Sequence, residues 1–145
     1  MESAKSDVRR LMIAIDRLDE VYYSAHRQSG MKDSLFVLMY ALADGAPRSQ
    51  KQICEEWHIP RSTINTVVLE QIEAGNIETV ATGHKEKLLS LTPEGRRFAE
   101  SKLDTLFEAE RDASTSIEVA NIADALDLFT THLEKSIDSQ VEKER

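Results

Sequence analysis

Apolar residues recur at helical spacing in both end regions of the chain. In residues 5–28 they stand three or four positions apart with charged residues between them, and the same period fills residues 93–112 and 115–141. One apolar stripe that repeats every 3.6 residues is typical of an amphipathic helix. The pattern therefore predicts a long helix at the start of the chain and two more at its end.

The middle of the chain begins with two shorter helical patterns. Residues 33–44 are apolar almost throughout, which predicts a helix buried on most sides with Asp33 as its N-cap. Ser49 and Gln52 have capping-box spacing and predict a short helix that runs to about Trp57.

A further helix and a hairpin are predicted next. The helix begins at Pro60, because proline suits the first helical turn, and Gly75 ends it. Its core-facing stripe is expected to consist of Ile64, Val67, Val68 and Ile72. Apolar and polar residues then alternate in two runs, 77–81 and 87–91, on either side of Thr82-Gly83-His84. A period of two residues around such a tip predicts a β-hairpin.

The last two helices have start signals of their own. Thr92 precedes Pro93, which is the order of a capping residue and the first helical position. Thr115 and Glu118 again have capping-box spacing. These elements predict a mostly α-helical protein with one small β-hairpin, in a single domain over residues 1–145.

The charge distribution decides whether nucleic acid fits as a partner. The 145 residues include 18 basic and 26 acidic side chains, a net charge of −8, which alone argues against phosphate binding. Residues 47–97, however, contain seven basic and seven acidic side chains, so the whole acidic excess lies in the flanks. Salt screens charges beyond about 8 Å. The net charge therefore predicts weak non-specific affinity for DNA, not its absence.

The sequence contains few features of a membrane protein, a metal-binding protein or an enzyme. The longest apolar run, Leu35–Ala43, is far shorter than the roughly 20 residues of a membrane helix, and no signal peptide is expected. Cys54 is the only cysteine, which fits a cytoplasmic protein and a buried structural thiol. The four histidines lack tight ligand spacing, and no nucleophile–base pair occurs. No metal, cofactor or catalytic site is expected.

Residues 48–77 have the pattern of a helix–turn–helix followed by a hairpin. Ile53 and Trp57 are the expected anchors of the first helix, and Cys54 supplies the small side chain needed where two helices cross. His58 stands at the turn, where a left-handed backbone is usual and histidine is among the better non-glycine residues. Such a motif holds its second helix outward, so that the N-terminal half can enter a DNA major groove.

The exposed side chains of this motif are of kinds that bind DNA. Arginine pairs with guanine and asparagine with adenine in the major groove, while cations bind phosphates. Base contacts are expected from Arg61, Ser62, Thr63, Asn65 and Thr66. Backbone contacts are expected from Arg48, Ser49, Gln50, Lys51, His84, Lys85 and Lys87. An ordinary solvated helix face and turn would carry similar residues, so that alternative stays open here.

In this order of elements, the chain resembles the multiple antibiotic resistance regulator (MarR) family of winged-helix transcription factors over nearly its whole length. The resemblance rests on Pro60-Arg61-Ser62-Thr63-Ile64, Glu73-Ala74-Gly75-Asn76-Ile77 and Leu89-Ser90-Leu91-Thr92-Pro93-Glu94-Gly95. It implies a winged helix–turn–helix core at 33–92, with dimerisation helices at 1–29 and 93–145. It further implies a homodimeric repressor that binds double-stranded DNA and is released by a small phenolic or other ligand.

The predicted dimer has a geometric consequence for the DNA target. Two copies of a helix–turn–helix bind a pseudo-palindromic operator when their reading helices lie about 34–36 Å apart, one turn of DNA. The long apolar stripes at both chain ends support a dimer, because one subunit of this size cannot cover them. They predict an interface above roughly 2,000 Å².

The chain departs from the family pattern in the hairpin and in the preceding helix. Gly83-His84-Lys85 stands where the hairpin commonly has Asp, any residue and Arg, and lysine lacks the planar fork of arginine. Phosphate contact at the hairpin therefore stays expected, whereas insertion into the minor groove does not follow. Gln71 stands where the family usually has an apolar residue, so Ile72 is expected to take the core position instead.

The resemblance also implies a ligand site between the dimer helices and the winged-helix core. Aromatic residues of the first two helices are its candidates, namely Tyr22, Tyr23, His26, Phe36 and Tyr40. An aromatic stripe at helical spacing more often forms a core or a dimer interface, and that alternative stays open. A second class of function also stays open, in which the winged helix binds a protein partner instead of DNA.

Overall fold

The computed structural model describes residues 2–83 and 85–145, so the predicted hairpin residue His84 lies outside the described part. The chain forms two compact units, Met1–Leu106 and Phe107–Arg145. Its elements are, in order, α1 (Glu2–Ser29), α2 (Asp33–Leu42), β1 (Arg48–Ser49), α3 (Gln50–Trp57), α4 (Arg61–Glu73), β2 (Ile77–Ala81), β3 (Lys87–Leu91), α5 (Pro93–Ser114) and α6 (Val119–Lys143). The predicted fold class, mostly helical with a small β-structure, is confirmed.

The hairpin is part of a three-stranded antiparallel sheet with the order β1-β3-β2. Strands β2 and β3 pair from Ile77 opposite Leu91 to Ala81 opposite Lys87. The third strand, β1, was not predicted, because two residues are too short to show an alternation. Its pairing with Leu88 and Leu89 of β3 joins the start of the helix–turn–helix to the hairpin.

The core of the first unit lies between α2, α3, α4, the sheet and the first part of α5. Its largest fully buried side chains are Leu38, Met39, Leu42, Ile53, Ile64 and Leu103. Three of these belong to α2, which agrees with the near-continuous apolar character of that segment. Burial of such side chains is worth about 1.5–3 kcal/mol each, so α2 is the main support on which the helix–turn–helix packs.

Two predicted helix caps are wrong. Asp33 is the first residue of α2, not its N-cap, and its carboxylate lies 3.2 Å from Nε2 of His26. Thr115 does not cap α6, whose N-cap is Glu118 without a side-chain cap. The Thr115 hydroxyl instead donates to the Asp112 carbonyl at the end of α5. Helix α5 extends to Ser114, so this hydroxyl is used at the C-terminal end of the preceding helix.

The prediction that Ile72 replaces Gln71 in the core is also wrong. Gln71 is 9% exposed, whereas Ile72 is 38% exposed. Helical phase explains the result, because Gln71 is seven residues after Ile64 and shares its face. The Gln71 amide remains satisfied, since its Oε1 accepts a 2.8 Å hydrogen bond from Asn76 Nδ2. A buried glutamine is tolerated here because the following turn supplies its partner.

The second unit has little apolar burial of its own. Helix α6 contains no buried residue, although an apolar row runs along it, and only Leu126 and Phe129 reach intermediate exposure. Its uncovered apolar residues include Val119, Ile122, Leu133, Ile137 and Val141. Across the described residues, no helix combines the length and apolar character needed to cross a bilayer.

Candidate nucleic-acid interface

Local signals fix both ends of α3. Ser49 Oγ accepts a 3.0 Å hydrogen bond from the Gln52 N–H, which caps α3 as predicted. His58 ends α3 with a left-handed backbone, φ 51° and ψ 49°, also as predicted. Three residues, 58–60, therefore separate the end of α3 from the start of α4 at Arg61.

Of the two residues expected to anchor α3, one is buried and one is not. Ile53 and Cys54 are buried, and the thiol of Cys54 is free. Trp57 was expected to anchor α3 but is 40% exposed. Its ring packs edge-on against Tyr40 of α2, with 5.5 Å between ring centroids, so it makes a contact at the edge of the core.

An open groove of about 720 Å³ runs between the start of α3, the outer side of α4 and the hairpin, and we call it the reading groove. Most of the predicted DNA-binding residues line it, namely Ser49, Gln50, Lys51, Arg61, Ser62, Asn65, Lys85 and Lys87. Residues that sequence reasoning missed also line it, namely Val68, Leu69, Ile72, Thr79, Glu86 and Leu89. Tertiary structure thus joins three separated segments in one surface.

The charge of the reading groove is opposite to that of the whole chain. Among the described lining residues, four are cationic and Glu86 is the acidic one; the cations are Lys51, Arg61, Lys85 and Lys87. Lys51 also lies 3.9 Å from Glu55, but both side chains are more than half exposed, so this pair is weak. A local cationic surface on an acidic protein is suited to phosphates at short range.

Three polar side chains on or beside α4 have defined partners. The Gln50 amide nitrogen donates to Oδ1 of Asn65 over 3.5 Å, across the reading groove. The Thr66 hydroxyl donates to the Ser62 carbonyl within α4, so its hydrogen is already used. Thr63 and Thr66 are exposed but are not among the described residues that line the groove. The structure therefore separates these two threonines from Arg61 and Asn65.

Arg48 has an internal role that removes it from the groove. Its guanidinium donates to both carboxylate oxygens of Asp44 at 2.6 Å and to the Ala41 carbonyl at 2.7 Å. The hydrogen bond from Arg48 is the main reason that the pKa of Asp44 falls from 3.8 to about 2. This bidentate pair ties the end of α2 to β1. Because its charge is paired with Asp44 and it is not among the described residues that line the groove, we leave Arg48 out of the proposed DNA contacts.

The base of the hairpin is fixed by hydrogen bonds to the turn after α4. The Thr92 N–H donates to the Asn76 carbonyl at 3.0 Å, and the Thr92 hydroxyl donates to the Gly75 carbonyl at 2.6 Å. The same hydroxyl accepts from the Gly95 N–H at 3.0 Å, which caps α5 as predicted. These bonds hold α4, the hairpin and the start of α5 in one orientation.

The five candidate ligand-site residues come together in one aromatic cluster, which Trp57 joins. Tyr40 lies at its centre, with ring centroids 6.2 Å from Tyr22, 6.1 Å from Phe36 and 5.5 Å from Trp57. His26 lies 4.6 Å from Phe36, and Tyr23 contacts His26 at 6.3 Å. The rings contact one another directly, so the cluster links α1 and α2 to the helix–turn–helix.

Metal chemistry has no candidate in the described residues. Between residues 2 and 83 and from 85 onward, no group of three His, Cys, Asp or Glu side chains is arranged to hold an ion. The half-buried side chain of His26 has a partner within the protein. Its Nε2 lies 2.9 Å from the Met31 carbonyl oxygen.

Comparisons with known proteins identify the fold. No protein-family model and no curated protein matches the chain. Among solved structures, it is similar to NMB1585, a MarR family regulator from Neisseria meningitidis, with a TM-score of 0.74, 24% identity and coverage of 92% of this chain and 98% of that one. It is also similar to the transcriptional regulator BldR from Sulfolobus solfataricus, with a TM-score of 0.60, 16% identity and coverage of 85% of this chain and 94% of that one. NadR in complex with 4-hydroxyphenylacetate is similar as well, with a TM-score of 0.60, 16% identity and coverage of 80% of this chain and 86% of that one. The chain therefore has the winged-helix fold of MarR family transcriptional regulators. In that fold the hairpin β2–β3 is the wing.

Proposed function

We propose that this protein is a MarR-type transcriptional regulator, a cytoplasmic homodimer that represses transcription by binding a pseudo-palindromic operator. The reading groove carries the proposal, because it joins a cationic rim to the outward face of α4 in an otherwise acidic protein. A groove of this kind is suited to a phosphate backbone with base edges beside it. The fold supports the same conclusion.

The groove supports a division of roles among its residues. Arg61, Ser62 and Asn65 are proposed to contact bases, since they lie on the first two turns of α4. The proposed phosphate contacts are Ser49, Gln50, Lys51, Lys85 and Lys87. Thr63, Thr66 and His84 remain predictions from the sequence.

The homodimer is proposed from apolar surface that the single chain leaves uncovered. Exposed apolar side chains on α1 include Val8, Met12, Leu18 and Val21, and a longer row lies on α6. An apolar stripe of seven turns in water is unfavourable unless another surface covers it. A second copy of this chain supplies the same two helices.

Binding to DNA upstream of its own gene tests the proposal. A gel-shift titration of the full-length protein is expected to give a specific complex that weakens steeply as salt rises, because phosphate contacts release counterions. If no salt-sensitive complex forms with this DNA or with a random duplex library, the regulator proposal fails. The winged helix would then be better explained as a protein-binding module.

Arg61→Ala and Lys85→Ala are expected to affect DNA binding differently. Loss of Arg61 removes a base contact and should reduce discrimination between operator variants about tenfold. Loss of Lys85 removes a phosphate contact, so it should weaken all sequences similarly and flatten the salt dependence by about one unit of slope per half-site. Fluorescence anisotropy with operator variants at several salt concentrations measures both quantities.

A matched control uses Lys102→Ala, which removes a positive charge from an exposed site on α5 outside the reading groove. This variant should retain both specificity and salt slope. Equal loss of specificity in the Arg61 and Lys85 variants would contradict the division of roles.

We propose that an aromatic carboxylate releases the regulator from DNA by binding at the aromatic cluster. Support comes from the meeting of all five predicted residues and from the NadR complex with 4-hydroxyphenylacetate. Trp57 is the only tryptophan and contacts Tyr40, so its fluorescence reports on the cluster. Titration with 4-hydroxyphenylacetate is expected to change this fluorescence saturably and to dissociate the DNA complex. A Tyr40→Leu variant should lose both responses, and a retained response would place the ligand elsewhere.

A further inference from the structure

Leu69 is an apolar side chain in an unexpected place. It is 58% exposed on α4, whereas Ile64, Val67 and Val68 of the same helix are buried. It lines the reading groove together with Arg61 and Asn65. A surface that only bound phosphates would have no use for a leucine at this position.

Helical phase places Leu69 with the proposed base contacts. It stands four residues after Asn65 and seven after Ser62, so the three side chains share one face of α4. The buried residues of α4 are Ile64 and residues 67, 68 and 71, of which only Val68 also lines the groove. Leu69 is thus directed to the same space as the polar groups proposed to meet base edges.

Leu69 differs from the other apolar residues of the groove. Ile72 is less exposed, at 38%, and Val68 and Leu89 are buried, so these three form the floor. Leu69 lines the same groove and is more exposed than all three. It is eight residues after Arg61, which separates the two by about 12 Å along the helix axis, the length of three to four base pairs. The two residues therefore reach different base pairs.

The major groove of DNA offers one apolar group, the 5-methyl group of thymine. We propose that Leu69 is a specificity-determining residue that packs against a thymine methyl group in each half-site. This inference rests on the proposed function. The cationic rim at Lys85 and Lys87 binds the flanking phosphates, and the leucine excludes water from the methyl group.

Replacing thymidine with deoxyuridine in the DNA tests this inference. Deoxyuridine lacks the 5-methyl group but has every hydrogen-bonding group of thymidine. The full-length protein first selects its preferred duplex from a random library. Each thymine of the half-site is then replaced by deoxyuridine, and affinities are measured by anisotropy. For the natural protein, one thymine per half-site is expected to show about a fourfold loss, the effect of one buried methyl group.

The Leu69→Ala variant should bind the thymine and deoxyuridine duplexes equally. Its fold is not at risk, since the side chain is exposed. Val80→Ala is the matched control, because Val80 is an exposed apolar residue of β2 that alternates with the groove residue Thr79. That variant should keep the fourfold difference.

Two results would overturn the inference, and they are distinguishable. If no duplex is selected, DNA binding itself fails and the inference fails with it. If a duplex is selected but deoxyuridine has no effect, or has the same effect in Leu69→Ala, only the role of Leu69 is refuted. The exposed leucine would then serve another partner, such as a protein.

Discussion

Replacing Ile137 with glutamate is expected to split the proposed homodimer and to abolish operator binding. Ile137 lies in the apolar row of α6 and is 53% exposed in the single chain. A carboxylate buried in an apolar interface without a partner costs about 2 kcal/mol or more. Each dimer carries two of these glutamates, so the cost is doubled and the dissociation constant of the dimer should rise about 1,000-fold. Loss of the second reading helix then removes half of the DNA contacts.

Sedimentation equilibrium over a range of protein concentrations measures this effect directly. Thr131→Glu is the control, since it adds the same charge to an exposed position on the opposite side of α6. The control should remain dimeric and bind DNA. A natural protein that sediments as a single chain, or an Ile137→Glu variant that remains dimeric, would refute the proposed interface.

Gly95→Ala is expected to destabilise the first unit by about 3 kcal/mol. A Cβ atom at this position would overlap the Asn76 carbonyl oxygen and lie 2.7 Å from its carbon. That carbonyl cannot easily move, because it accepts the Thr92 N–H that fixes the base of the wing. Helix propensity alone predicts the opposite sign, a gain of about 0.5–1 kcal/mol. The sign of the change in stability therefore shows which of the two effects is larger.

Urea unfolding followed by circular dichroism, at one protein concentration, measures the free-energy change. Gly30→Ala provides the comparison, because Gly30 has φ +70° but has no atom within 4 Å of an added Cβ. Its cost should be that of a left-handed alanine, about 1 kcal/mol. If Gly95→Ala loses no more stability than Gly30→Ala, packing against Asn76 is not what selects glycine.

Much of the helix–turn–helix could be predicted from local chemistry. Ser49 caps α3 and His58 adopts the left-handed turn because both effects depend on neighbours within a few residues. The same holds for Thr92, whose hydroxyl caps α5. Predictions failed where a side chain had a choice of partners, as at Asp33, which faces His26 instead of capping α2.

Some residues of the candidate interface could be predicted from the sequence, and others could not. Polar residues at the start of α4 could be selected from the sequence because arginine and asparagine have known affinities for bases. Arg48 stayed a candidate, because its spacing of four residues from Asp44 does not by itself show that the two side chains form a bidentate bond. Leu69 could have been found from its spacing to Ser62 and Asn65, but its exposure is a property of the packed helix.

The amino-acid sequence by itself determined the order of elements, the left-handed turn and the family of folds to which they belong. Periodicity and capping act over a few residues, so they survive without a three-dimensional context. Only the tertiary structure decided that Gln71 is buried, that Arg48 is tied to Asp44, and that α3, α4 and the wing enclose one groove. The groove joins segments that are far apart in the chain, whereas Arg48 and Gln71 bond to residues only four and five positions away. In each case packing and hydrogen-bond geometry select among partners that a linear pattern leaves equivalent.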